Sequence, residues 1–154
     1  MKVRVRDIER EGSVELEEAI PAARLPIDTP DQPRLEGPVQ ANLKAEIQNG
    51  AVWAWVQARA KVSVACARCL DRYSLDVRPA FDVEAPLTEE FLDVDDDVRQ
   101  HLLLSLPPKP LCSAACKGLC ARCGKNLNKG PCGCPPENIA SAFDVLKNLK
   151  LKQG

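Results

Sequence analysis

Between residues 39 and 64 the chain alternates apolar and polar positions with a period of two. Val39, Ala41, Leu43, Ala45 and Ile47 form the first apolar series, Asn49-Gly50 follows, and the alternation resumes at Ala51. Asn-Gly between two alternating runs predicts a β-hairpin closed by a two-residue turn. Such a turn sets Ile47 opposite Val52, Ala45 opposite Ala54, Leu43 opposite Val56 and Ala41 opposite Ala58, so every apolar residue falls on one face. The opposite face then pairs Glu46 with Trp53, Lys44 with Trp55, Asn42 with Gln57 and Gln40 with Arg59. Two tryptophans interleaved with Lys44, Arg59 and Lys61 admit two readings. They form a stacking surface for RNA, or a second sheet layer covers them; the second is the expectation adopted.

Beyond the hairpin, Tyr73, Leu75, Val77, Phe81 and Val83 alternate again and predict an antiparallel return, with Pro79 marking an edge or bulge. Ahead of it, Val3/Val5 and Val14/Leu16 suggest two short strands, and Pro21, Pro26, Pro30, Pro33 and Pro38 punctuate loop. Positions 82–97 hold Asp82, Glu84, Glu89, Glu90, Asp93, Asp95, Asp96 and Asp97 without a basic residue, which reads as solvated surface or loop. Asp95 to Asp97 suit the N-terminus of a helix running from about Val98 to Leu106. Leu102, Leu103 and Leu106 lie at helical spacing there, and Pro107-Pro108 ends it. Pro135-Pro136-Glu137 opens a C-terminal amphipathic helix with Ile139, Ala142, Phe143, Leu146 and Leu149 as its apolar stripe. The expected fold is α+β: an antiparallel, barrel-like β unit over 1–86, an acidic segment and short leucine-rich helix over 87–108, and a cysteine-rich metal-binding module with a C-terminal helix over 109–154.

Composition changes the picture through cysteine. Eight occur in 154 residues, as Cys66-x2-Cys69, Cys112-x3-Cys116, Cys120-x2-Cys123 and Cys132-x-Cys134. The first residues carry no apolar secretory core, and no stretch is long and apolar enough to span a bilayer, so a cytoplasmic location without membrane contact is expected. In that reducing setting close cysteine pairs point to metal ahead of disulfides or buried thiols. Each pair supplies half of a tetrahedron. Cys120, Cys123, Cys132 and Cys134 form a compact four-thiolate set, leaving Cys66, Cys69, Cys112 and Cys116 as a second set that staples the middle of the chain to its C-terminal part. A pairing of Cys66 and Cys69 with Cys120 and Cys123 remains open at this point. Closed sites with four thiolates and short spacings favour zinc, two ions in all, over an iron–sulfur cluster.

Charge is uneven. The whole chain carries 21 basic and 22 acidic residues. Residues 1–97 hold 12 basic and 20 acidic residues, whereas residues 98–154 hold 9 and 2. Lys117, Arg122, Lys125 and Lys129 surround the expected metal module and are the candidate nucleic-acid contacts; equally, they offset the negative charge of metal thiolates. A single histidine, His101, leaves little material for acid–base or triad chemistry, so no catalytic residue and no small-molecule substrate are expected.

Several segments carry a resemblance. Ala-Cys66-Ala-Arg68-Cys69-Leu70, the run from Val98 through Leu106-Pro107 to Lys109-Pro-Leu-Cys112, the run Cys116-Lys-Gly-Leu-Cys120-Ala-Arg-Cys123-Gly-Lys-Asn-Leu-Asn128, and Phe143-Asp-Val-Leu-Lys-Asn-Leu149 resemble the YceD-like family of large ribosomal RNA subunit accumulation proteins. The resemblance implies a non-enzymatic factor in 23S rRNA accumulation or processing that acts during large-subunit assembly. Its implied partners are 23S rRNA, the pre-large-subunit particle or a ribosomal protein. Two other readings compete: a zinc-thiolate redox switch, in which neighbouring cations activate the thiols, and a thiol–disulfide oxidoreductase. The latter needs a βαβ setting, and Cys66 and Cys69 are expected between antiparallel strands.

Overall fold

A computed structural model describes residues 1–27 and 33–135. The expected C-terminal helix lies outside the described residues. In chain order the elements are β1 (Lys2–Arg4), α1 (Val5–Glu11), β2 (Ser13–Ile20), β3 (Arg34–Leu35), β4 (Val39–Gln48), β5 (Ala51–Ala65), β6 (Arg72–Val77), β7 (Ala80–Pro86), β8 (Phe91–Asp93) and α2 (Asp95–Leu104).

The β4–β5 hairpin is the centre of the sheet. Asn49 and Gly50 both have positive φ, 51° and 80°, the backbone that a two-residue turn matched to strand twist requires. The pairing is the one the alternation predicts, from Ile47 opposite Val52 to Gln40 opposite Arg59. β2 lines the outer edge of β4. On its other edge β5 pairs first with β7 and then, beyond the break at Arg78-Pro79, with β6. That break is the irregularity expected at Pro79. β3 extends the β4 side by pairing at Val62 and Ser63.

Val39, Ala41, Leu43, Ala45, Val52, Ala54, Val56 and Ala58 are buried. Val5 and Ile8 of α1 and Val98 and Leu102 of α2 belong to the same core. Alanines sit directly opposite one another on this face, Ala45 with Ala54 and Ala41 with Ala58, all of them buried. Phe81 of β7 stacks on His101 of α2, with ring centroids 3.8 Å apart and planes 5° from parallel. That contact joins the second helix to the sheet.

Three expectations are corrected. Val5 belongs to a helix, not to a strand with Val3: Val5 and Ile8 are buried three residues apart, and Gly12 at φ 81° closes the helix by donating to the Ile8 carbonyl. The acidic stretch is not all loop. Asp82 and Glu84 are solvent-facing positions of β7, and Phe91–Asp93 forms β8, which pairs with β1. Finally, among the described residues no second layer covers the tryptophans; Trp53 is 37% and Trp55 46% exposed. The helices lie on the apolar face, and the described residues contain no further element to cover the other. α2 itself starts three residues earlier than the leucine spacing suggests, with Asp95, Asp96 and Asp97 in its first turn. No helix among the described residues is long and apolar enough to cross a membrane.

Candidate metal centres

The eight cysteines converge in two groups, Cys66, Cys69, Cys112 and Cys116, and Cys120, Cys123, Cys132 and Cys134, with the sulfurs of each group within 4.8 Å of one another. The crossed arrangement of Cys66 and Cys69 with Cys120 and Cys123 is not found. In the first group the Cys66 and Cys116 sulfurs are 3.8 Å apart and those of Cys69 and Cys112 3.7 Å. A disulfide requires about 2.05 Å. Four thiolates placed tetrahedrally at about 2.3 Å from one ion lie about 3.8 Å from each other, so both groups can hold a metal ion.

Two similar turns present half of each group. Residues 66–71 read Cys-Ala-Arg-Cys-Leu-Asp and residues 120–125 read Cys-Ala-Arg-Cys-Gly-Lys. In the first turn the Leu70 N–H donates to the Cys66 carbonyl at 3.0 Å and the Cys66 N–H to the Asp71 carbonyl at 2.9 Å. In the second, the Gly124 N–H donates to the Cys120 carbonyl and the Cys120 N–H to the Lys125 carbonyl, both at 2.9 Å. Both turns need a left-handed fifth residue, Leu70 at φ 60° and Gly124 at φ 70°. Leucine is strained there and its side chain is 66% exposed. Leu70→Gly is therefore expected to stabilise the protein by up to about 1 kcal/mol, the left-handed penalty relieved less the extra chain entropy; a lower denaturation midpoint in the variant would contradict this.

The groups differ in their surroundings. Cys66, Cys69 and Cys116 are buried and packed with Tyr73, Leu111 and Leu119, and the turn carrying the first two follows directly on β5. Ala67 N–H donates to the Pro110 carbonyl at 2.8 Å and the Arg68 guanidinium to the Cys116 carbonyl at 3.0 Å, which ties the sheet to the segment carrying Cys112 and Cys116. In the second group Cys123 is exposed and the other three are partly so. Each group mixes thiols made more acidic, Cys66 and Cys116 in the first and Cys120 in the second, with thiols made less so, Cys69 and Cys112 in the first and Cys134 in the second. Backbone N–H groups at residues 112 and 69 draw Cys66 down to about 6, and those at residues 123 and 122 do the same for Cys120. Burial, with the neighbouring cysteines, pushes Cys112 up to about 12; the Cys123 side chain, then burial, does so for Cys134. Four thiolates held this close would repel one another, and a cation bound between them would offset that repulsion.

A hairpin closed by the Leu119–Asn126 bridge connects the groups. Asn128 is its central polar residue. Its side-chain amide donates to the Cys116 sulfur at 3.3 Å, the cause of that thiol's lowered pKa, and its oxygen accepts from the Lys117 N–H at 2.8 Å. Asn126 donates to the Asp71 carboxylate at 2.8 Å, back across to the first turn. None of Asn126, Asp71, Arg68 and Gly118 stands out as a site residue from spacing alone. Gly118 has φ 75°, and a Cβ there would sit 3.2 Å from the Arg68 carbonyl oxygen. Gly118→Ala should cost about 1–2 kcal/mol from the left-handed backbone alone, more with the clash, and its check is a lowered thermal midpoint with faster metal loss to a chelator.

The four basic candidates are arranged unequally. Lys125 donates to the Pro131 carbonyl at 2.8 Å, and Lys129 lies 3.2 Å from the Asp71 carboxylate. Both therefore brace the module itself. Lys117 and Arg122 are exposed beside the clusters.

Fold and site together define an antiparallel sheet with two covering helices that carries two four-cysteine clusters, one seated against the sheet and one beyond it. Residues 80–150 match the family described as large ribosomal RNA subunit accumulation protein YceD, so the resemblance read from the motifs holds for this stretch. Two curated relatives are similar to it. One, from Arabidopsis thaliana, is named large ribosomal RNA subunit accumulation protein YCED homolog 1, chloroplastic; it is 36% identical over 59 residues, 38% of this chain and 18% of the relative. Its namesake from Zea mays is 34% identical over 55 residues, 35% of this chain and 19% of the relative. The likeness thus spans under a fifth of those proteins' length. No solved structure matches the chain.

Proposed function

We propose that this protein is a zinc-stabilised, non-catalytic factor in the accumulation of 23S rRNA, acting during assembly of the large ribosomal subunit in the cytoplasm. The observation that carries the proposal is that the family match covers the segment holding Cys112, Cys116 and the whole second cluster, so the matched sequence and the metal-competent geometry coincide. Zinc is the proposed ion in both clusters. The sulfurs are spaced for one ion, whereas an iron–sulfur cluster places several atoms between its thiolates and holds them farther apart. The proposed rRNA contact is made by Lys117, Arg122, Lys125 and Lys129, of which Lys125 and Lys129 also hold the module in shape. A ribosomal protein is the alternative partner.

The test is salt-titrated binding of the zinc-loaded full chain to 23S rRNA and to pre-ribosomal particles, with rRNA levels measured in cells lacking the protein. Affinity should fall steeply with salt, and the slope should drop by about one for each phosphate-contacting cation replaced. Salt-insensitive or absent binding, together with normal 23S rRNA in its absence, would refute the proposal.

A second reading, a thiol redox switch, is favoured by one observation: the second cluster lies at the surface with Cys123 exposed. There a peroxide would oxidise paired thiolates to a disulfide, be reduced to water, and free the zinc. Stoichiometric zinc release that thiol reductant reverses would support this reading.

A further inference from the structure

Trp53 and Trp55 are the only tryptophans in the chain, and both project from the face of the sheet opposite the helices. Two residues apart on one strand, they stand roughly 7 Å from each other. Cross-strand register sets Trp53 between Glu46 and Glu84 and Trp55 between Lys44 and Asp82. The Lys44 ammonium lies 3.7 Å from Glu15 on the next strand. The aromatic pair is thus framed by Glu15, Glu46, Asp82 and Glu84, with one lysine that already has a carboxylate partner. Shallow grooves of about 380 Å³ and 200 Å³ flank Trp55, the first bordered by Glu15 and Glu17, the second by Glu46, Trp53 and Asp82.

This charge pattern selects the occupant. Stacking platforms for single-stranded nucleic acid combine aromatic rings with a positive groove that follows the phosphates; here the surrounding charge is negative and would repel them. Rings bordered by carboxylates suit the reverse ligand. A guanidinium or ammonium gains from the π-face and from the acid beside it, and the planar guanidinium does both at once. Strand addition is not available, because β4 and β7 already pair both edges of β5 from Ala51 to Gln57. The ligand must lie across the face and be held by side chains.

We propose that the Trp53–Trp55 face docks an extended arginine- and lysine-rich segment of a partner protein, with cationic side chains over the two indoles and bonded to Glu46, Asp82 and Glu84. This site lies on the sheet rather than on the cysteine module, and it stands whether or not the rRNA reading does.

The two indoles make the test direct, since all tryptophan emission comes from this face. The full zinc-loaded chain is titrated with a synthetic nonapeptide of alternating arginine and lysine, and separately with a single-stranded RNA of nine nucleotides, at several salt concentrations. A saturable, salt-sensitive change in emission with the peptide is expected. Reversing charge on the face, Glu46→Lys with Asp82→Lys, should weaken it about tenfold or more, and the milder Asp82→Asn with Glu84→Gln about threefold. Glu89→Lys with Glu90→Lys, an equal change of charge in a loop outside this face, should leave it within about twofold. The proposal is overturned if the peptide gives no saturable change, or if all variants lose affinity equally. Tighter binding of the RNA, or a dimer that removes the indoles from solvent without peptide, would overturn it as well.

Discussion

Cys66→Ser is expected to reduce bound zinc from two ions per chain to one and to detach the cysteine module from the sheet. Cys66 is wholly buried and follows immediately on β5, while its partners Cys112 and Cys116 lie more than forty residues further on. The ion would therefore close a long loop, the kind of crosslink that most restricts an unfolded chain. Without it the junction rests on the small apolar cluster of Tyr73, Leu111 and Leu119 around the cysteines, on the Ala67–Pro110 and Arg68–Cys116 hydrogen bonds and on the ties from Asp71 to Asn126 and Lys129. These are few, and those from Asp71 are at least partly exposed. Structural zinc in small modules binds with about 10–16 kcal/mol, as much as the whole stability of an ordinary domain, so hydrogen bonds at about 1 kcal/mol each cannot replace it. Amide exchange should separate the parts. Protection across residues 109–135 should collapse while the β4–β5 ladder, whose core contains no cysteine, keeps most of its own. Two zinc ions retained with unchanged exchange would contradict this account.

What could be read from the residues divides along sequence distance. The hairpin register was legible because alternation and Asn49-Gly50 are local and point to the same pairing. The cysteine groups were legible as close pairs, since each pair sits in one turn; how the pairs combine depends on where β5 ends relative to residues 110–116, which spacing alone leaves open. α1 was hidden because Val3 and Val5 mimic a strand period, and only the depth of Ile8 shows a helical stripe. β8 escaped because Phe91-Leu92-Asp93 is short, lies in an acidic run, and is a strand only through pairing with β1 at the other end of the described chain. Asn128 and Gly118 have their roles for the same reason: one faces a sulfur twelve residues away, the other a carbonyl fifty residues away. The tryptophans show the converse. Their face follows from the register, but whether it is covered depends on where the helices go, and the two helices among the described residues take the apolar side.

The double substitution Cys132→Ser, Cys134→Ser should also remove one zinc ion, with a different structural result. Its cluster is built from residues 120–134 alone, and the links between the cysteine module and the sheet run through Ala67, Arg68, Asp71 and the first cluster. Asn126 and Asn128, which brace that first cluster, lie before Cys132 in the chain and bond to Asp71, Cys116 and Lys117. Losing the outer ion should therefore free the chain after about residue 130, leave the inner ion bound, and leave the main thermal transition of the sheet nearly in place. The same asymmetry orders metal loss in the unsubstituted protein. A chelator reaches partly exposed sulfurs before buried ones, so zinc should leave in two phases, the faster from Cys120, Cys123, Cys132 and Cys134. Acidification should speed both phases, because protons compete with zinc for the same thiolates. In the double variant only the slower phase should remain. A single-phase loss of both ions, or disappearance of the slow phase in that variant, would show that the two clusters stand or fall together.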